Sequence, residues 1–253
     1  MMRILSFIVL VLVLGWACLT AAPIVVNGPK VFPAAGGGAA PAQVYVNSAR
    51  GTSLVEGTAV SLTIGATLSN GYIFVDWAIF DNAAETIATC SFDGTAMTSL
   101  ASYALVGDTN NRIQQFGLAV ASKAAASYNV TFTISGGGAN ITEYAIGVRA
   151  FNNVHQTTST GTAATASSST AQTSSSVTVT STTGELIVDT LLQGSGLVST
   201  ASGAGHTERW DQGGAAHTTG AGGDIAGAAS VACTWTFSSQ SWAAVGIPLK
   251  PAP

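Results

Sequence analysis

The stretch GYIFVDWAIF, residues 71–80, decides the fold. It is short for a packed helix and rich in aromatic and β-branched residues, so it reads as a buried strand. Side chains alternate between the two faces of a strand. Ile73, Val75, Trp77 and Ile79 therefore share one face, and Tyr72, Phe74, Asp76 and Phe80 share the other. A second version, GELIVDTLL, occupies residues 184–192. Aligning Gly71 with Gly184 pairs Ile73 with Leu186, Val75 with Val188 and Ile79 with Leu192, and pairs Asp76 with Asp189 on the opposite face.

Outward from this strand, the chain reads as β from Gln43 almost to its end. AVSLTIGA (59–66) alternates, with Val60, Leu62 and Ile64 on one face. Asn70-Gly71 signals a turn into the central strand, and Asp93-Gly94 a hairpin between 86–92 and 95–100. Strands follow over 112–122, 128–135 and 142–151, and no helical apolar stripe occurs beyond the first 22 residues. The echo continues: VTFTIS (130–135) matches CTWTFS (233–238), and AIGV (145–148) matches AVGI (244–247). Matches in the same order point to duplication. The expected fold is all-β: a single antiparallel β-sandwich, Ig-like or jelly-roll-like, spanning 46–253. Its two related halves cover about 46–155 and 177–253. The Ser/Thr/Ala-rich residues 156–176 form an ordered crossing, because Val177-Thr178-Val179 runs straight into the second central strand. A half alone would have a thin core, so the halves are expected face to face.

Composition narrows the function. Of 253 residues, 47% are hydrophobic and only 8% charged, against about 25% charged in an ordinary soluble domain. The polar surface therefore consists mainly of Ser, Thr, Asn and Gln, which does little to keep molecules apart. Eight Lys and Arg and a net charge of −4 exclude a nucleic-acid partner, which needs clustered basic residues.

Residues 1–22 read as a leader. Arg3 is followed by the apolar run ILSFIVLVLVL (4–14) and by small residues at Ala17, Ala21 and Ala22. A plain export signal, lipidation at Cys18 and a retained membrane anchor are the open readings, the first preferred. Residues 23–45 form an arm with a Gly/Ala/Pro hinge, PAAGGGAAPA (33–42). The arm is a tether or a donor strand, in which Ile24, Val25 and Val26 or Val31 and Phe32 add to a neighbouring sheet edge. Export permits disulfides, so Cys90 and Cys233 are either bridged or two buried thiols.

With GELIVD, HTERWDQ (206–212) and CTWTFSSQSWAAVGIPLKP (233–251), the chain resembles a recurrent β-sandwich domain of bacterial secreted and phage-associated proteins. The likeness covers most of residues 55–251. It implies a fold and export, carries no shared catalytic site, and says nothing of substrate.

Four sets of residues invite a chemical reading. His206, Glu208, Asp211 and His217 lie within GHTERWDQGGAAHTTG (205–220) and offer imidazoles and carboxylates to a divalent metal. No H-x-x-x-H pair fixes two ligands there, and an exposed polar hairpin is the plainer reading. Glu208 and Asp211 could also be read as hydrolytic carboxylates, but such pairs converge from different strands. Asp76 and Asp189 could flank a pseudo-two-fold site, or be ordinary strand residues facing solvent or a loop. Trp210 and Trp242, beside turns and polar residues, are candidates for a glycan platform or a subunit contact, whereas Trp77 and Trp235 belong to the core. The sequons at Asn129 and Asn140 matter only in a eukaryotic source. No nucleophile elbow or P-loop spacing occurs. The expectation is an exported, non-enzymatic structural or adhesive subunit without cofactor, whose partners are its own copies or neighbouring surface proteins. The alternatives are a carbohydrate-binding module and an enzyme with an unrecognised site.

Overall fold

The computed structural model describes residues 39–136, 140–194, 200–213 and 216–253. The leader, Cys18 and the donor-strand residues Ile24, Val25, Val26, Val31 and Phe32 lie outside these. The described residues form antiparallel β-strands and no helix.

The first sheet orders its strands β1 (Ala42–Val55), β9 (Asn140–Asn152), β3 (Leu68–Phe80), β7 (Asp108–Lys123) and β6 (Thr98–Leu105). The second, smaller sheet contains β2 (Val60–Ile64), β8 (Ala126–Ile134), β4 (Ile87–Phe92) and β5 (Thr95–Ala96). In the third, β10 (Ala164–Val179), β15 (Val231–Leu249), β11 (Leu186–Gln193), β14 (Thr219–Ala226) and β13 (His206–Gln212) run side by side, and β12 (Thr200–Ser202) pairs with β15.

The quoted strand is β3, and it is buried on both faces because its sheet is the middle layer. Ile73, Val75, Trp77 and Ile79 meet Leu62, Phe92, Phe132 and Ile134 of the small sheet. Tyr72, Phe74 and Ala78 meet Leu186, Val188, Leu192, Val245 and Ile247 of the third sheet. A third apolar layer arises because β10 and β15 are long and bend back over their own sheet. Val177, Val179, Cys233, Trp235 and Phe237 thereby cover Ile187, Leu191 and Ala244. The bend falls at the register shifts between Ser168 and Ser174. It brings Val179 so close that a Cβ on Gly246 would lie 2.5 Å from its Cγ2.

The two five-strand paths have the same plan: first strand, last strand, central strand, penultimate strand, and the strand before it. The echoed segments fall at corresponding places. VTFTIS lies in β8 and AIGV in β9, separated by a turn, whereas CTWTFS and AVGI lie in the single strand β15. Between the echoed segments the offset shrinks from 103 to 99 residues along this stretch.

Local signals behave unequally. Asp93 (φ 49°) and Gly94 (φ 74°) both occupy the left-handed region, as a two-residue hairpin turn demands. Asn70-Gly71 is not a chain reversal: pairing with β7 continues from Ser69–Ser122 to Gly71–Val120, and the Asn70 carbonyl accepts the Val154 N–H at 2.8 Å. The Ser/Thr/Ala stretch is largely the edge strand β10. The Gly-rich run from Thr219 is strand β14.

Candidate functional site

Charge is concentrated where the first and third sheets meet. Arg149 stands in the apolar β9 and is wholly buried, its guanidinium 5.2 Å from the Phe74 ring centre. It donates through Nη2 to Asp76 and to the Asp189 carbonyl at 3.2 Å, and through Nη1 to the Gly223 carbonyl at 2.7 Å. Asp76 also accepts from the Thr190 hydroxyl, from Gln115 Nε2 at 3.2 Å and from Trp210 Nε1 at 3.3 Å. Burial raises the Asp76 carboxyl above its ordinary range, and the Arg149 charge and the hydrogen bonds from Thr190, Arg149 and Gln115 offset this only in part.

Asp189 faces the other way, into the third apolar layer. Its Oδ2 accepts from Trp235 Nε1 at 2.6 Å, and its Oδ1 accepts from the Gly223 N–H at 3.1 Å. His206 Nε2 donates to Oδ1 at 2.8 Å, while Nδ1 donates to the Thr234 carbonyl at 3.2 Å. An imidazole that donates from both nitrogens is the charged form. Burial lowers the pKa of this ring, but the Asp189 carboxylate and the Thr234 carbonyl outweigh it, so His206 titrates above its ordinary value.

Glycines make room for this network. A Cβ at either Gly147 or Gly222 would stand 2.2 Å from the Trp210 indole nitrogen, and one at Gly223 would stand 2.3 Å from His206 Nε2. The glycines of β14 thus form a slot for Trp210 between the sheets and a seat for His206.

The residues singled out by sequence are redistributed. Asp76 and Asp189 occupy matching pairing positions, opposite Gly147 and Gly246. They nevertheless point to opposite sides of the third sheet, so they flank no common site, and neither faces solvent. Trp210 (3% exposed) and Trp242 (8% exposed) are buried, which removes the aromatic platform proposed for a glycan. Cys90 and Cys233 are free, and they sit in different apolar layers, with Cys90 beside Met97 (3.6 Å between sulfurs). The bridge is therefore not formed. Burial pushes the Cys90 thiol up to about 12, and raises that of Cys233 too.

The metal candidates also separate. His206 is engaged as above, and Glu208 is exposed. Asp211 Oδ2 accepts from the Thr200 hydroxyl at 2.8 Å. His217 stacks on Phe80 with ring centres 4.4 Å apart. Among the described residues no three His, Cys, Asp or Glu side chains converge on a metal position.

Sequence reasoning missed Arg149, Gln115 and Thr190. The available signal was an arginine and an aspartate, each isolated in an apolar strand, since a buried charge requires an opposite partner. Chemically, the network is closed. Asp76, Arg149 and Asp189 have no exposed surface, so a substrate does not reach them. The arrangement ties sheets together.

The outward face of the small sheet is different in kind. Thr63 pairs with Ser127 (2.7 Å), Ser61 with Asn129 (2.9 Å), Ser91 with Thr131 (2.6 Å) and Thr89 with Thr133 (2.7 Å). These form a ladder of uncharged side chains across three strands. Ser174, Ser176 and Thr178 of β10 and Thr236 of β15 are likewise exposed on the folded-back part of the third sheet.

No family model, curated protein or solved structure matches this chain.

Proposed function

We propose that the chain is an exported, non-enzymatic structural or adhesive subunit of a cell-surface layer, filament or virion-like assembly. The observation that carries this reading is where polar groups lie: the Arg149–Asp76 and His206–Asp189 pairs are buried, and uncharged hydroxyls pair along the outer face of the small sheet. A surface with little charge opposes association weakly. The leader-like residues 1–22 and the likeness to exported β-sandwich domains support secretion. The common strand plan and the sequence echo support one sandwich-like body made of two related halves.

Residues 42–45, expected in the arm, belong to β1 and pair with β9, and the arm ahead of them supplies a means of assembly. In this reading Ile24–Val26 or Val31–Phe32 pairs with a sheet edge of the next copy, such as β10, whose outer side carries no strand among the described residues. The test is electron microscopy and size-exclusion chromatography of the chain lacking its leader. Ordered polymers that disappear on deletion of residues 23–42 support the proposal. A monomer at every concentration, with or without the arm, overturns it.

A further inference from the structure

A groove of about 340 Å3 opens on the first sheet, beyond the edge of the third. Leu100 of β6 and Ala119 of β7 give it apolar lining, and the chain crossing from β9 to β10 lines it with Thr157, Ser159 and Thr160. No Asp, Glu, Lys or Arg lines it. Tyr72 reaches it from β3 by lying across Gly117, where a Cβ would stand 2.0 Å from the phenol oxygen. Tyr72 is 3% exposed, and among the described residues its hydroxyl has no hydrogen-bond partner. Within this groove it is a donor available to whatever enters.

The crossing is held in place before any ligand arrives. His155 N–H donates to the Lys250 carbonyl, Lys250 N–H to the Ser159 carbonyl and Gly161 N–H to the Pro248 carbonyl, each at 2.9 Å. Gln156 Nε2 donates to the Gly71 carbonyl at 3.1 Å. A wall already ordered loses little freedom on binding. These bonds also bear on what can bind. The backbone of the crossing is engaged, and β7 is an interior strand flanked by β3 and β6. β7 offers a peptide no free edge, and the only neighbouring edge among the described residues is that of β6 at Thr98 and Leu100. Over the floor and the crossing, recognition rests on side-chain hydroxyls and apolar contacts. The volume lies at the small end of ordinary ligand pockets, about 300–1,000 Å3.

We propose that this groove binds a short neutral saccharide, its C–H face on Leu100 and Ala119 and its oxygens on Tyr72 and the Thr/Ser wall. The site lies within one copy and does not depend on assembly. It also differs from the tryptophan platform that the sequence suggested.

The test is saturation-transfer NMR followed by calorimetry on the purified chain, using cellobiose, maltose, lactose and chitobiose as probes. At least one disaccharide is expected to bind. Tyr72→Phe keeps the ring and is expected to weaken that binding about 3- to 10-fold, the range of one hydrogen bond. Its melting temperature should remain within about 2 °C of the parent, because the hydroxyl has no protein partner. Ala119→Phe fills the groove and should abolish binding; Thr157→Val is the second variant if that protein does not fold. The proposal is overturned if no disaccharide binds, if binding is unchanged in Tyr72→Phe and in the groove variant, or if transfer is seen only to a short neutral peptide.

Discussion

Replacing Arg149 by Met tests whether the buried network holds the first and third sheets together. Methionine approximates the aliphatic stem, so the lost elements are the charged guanidinium and its contact with the Phe74 ring. Its removal leaves the wholly buried Asp76 carboxylate with only neutral donors: Thr190, Gln115 and Trp210. It also strips a donor from the carbonyls of Gly223 and Asp189. Removing one partner of a buried pair costs about 3–5 kcal/mol. For a chain of this size that corresponds to a fall in melting temperature of roughly 6–20 °C. The double variant Arg149→Met with Asp76→Asn removes both charges and should recover most of the loss, because the cost comes mainly from the stranded carboxylate. Urea denaturation followed by tryptophan fluorescence measures both proteins, with stability read from the midpoint at constant slope. A cost below about 1 kcal/mol for Arg149→Met, or a double variant weaker than the single one, would refute the reasoning.

The remaining predictions concern His206 and the two buried cysteines. His206 titrates above its ordinary 6.5 in the folded protein, so its contribution is fully present below that value and is lost as pH rises through the folded value. Thermal melting across pH 5–9 should therefore show stability falling on the alkaline side, and His206→Gln should flatten that fall; a parent profile level above pH 6.5 would count against the charged ring. Cys90 and Cys233 should both be alkylated by iodoacetamide in denaturant without prior reduction, and both resist it in the folded protein. Mass spectrometry of a Cys90–Cys233 cross-linked peptide would contradict this.

Much of the β character was local and hence legible. Alternation in Val60, Leu62 and Ile64, the Asp93-Gly94 turn and the density of β-branched residues in β3 each act over a few neighbouring residues. The sequence echo was legible as well, because repeated core patterns keep their order whatever lies between them. Nothing local, however, states which face of a strand meets which sheet. Asp76 and Asp189 match in sequence and in pairing partner, yet the bend of β10 and β15 turns one of them inward within its own half. Trp210 and Trp242 look exposed beside polar neighbours, but Gly147, Gly220 and Gly222, from two other strands, leave the space that admits the Trp210 indole between sheets, and Trp242 packs in the third apolar layer. Composition and periodicity thus determined that the chain is β and poor in charge. Only tertiary packing decided where the few charges go. An isolated Arg149 in an apolar strand is intolerable alone, and its counter-charge lies 73 residues away, brought near by sheet pairing and not by sequence proximity.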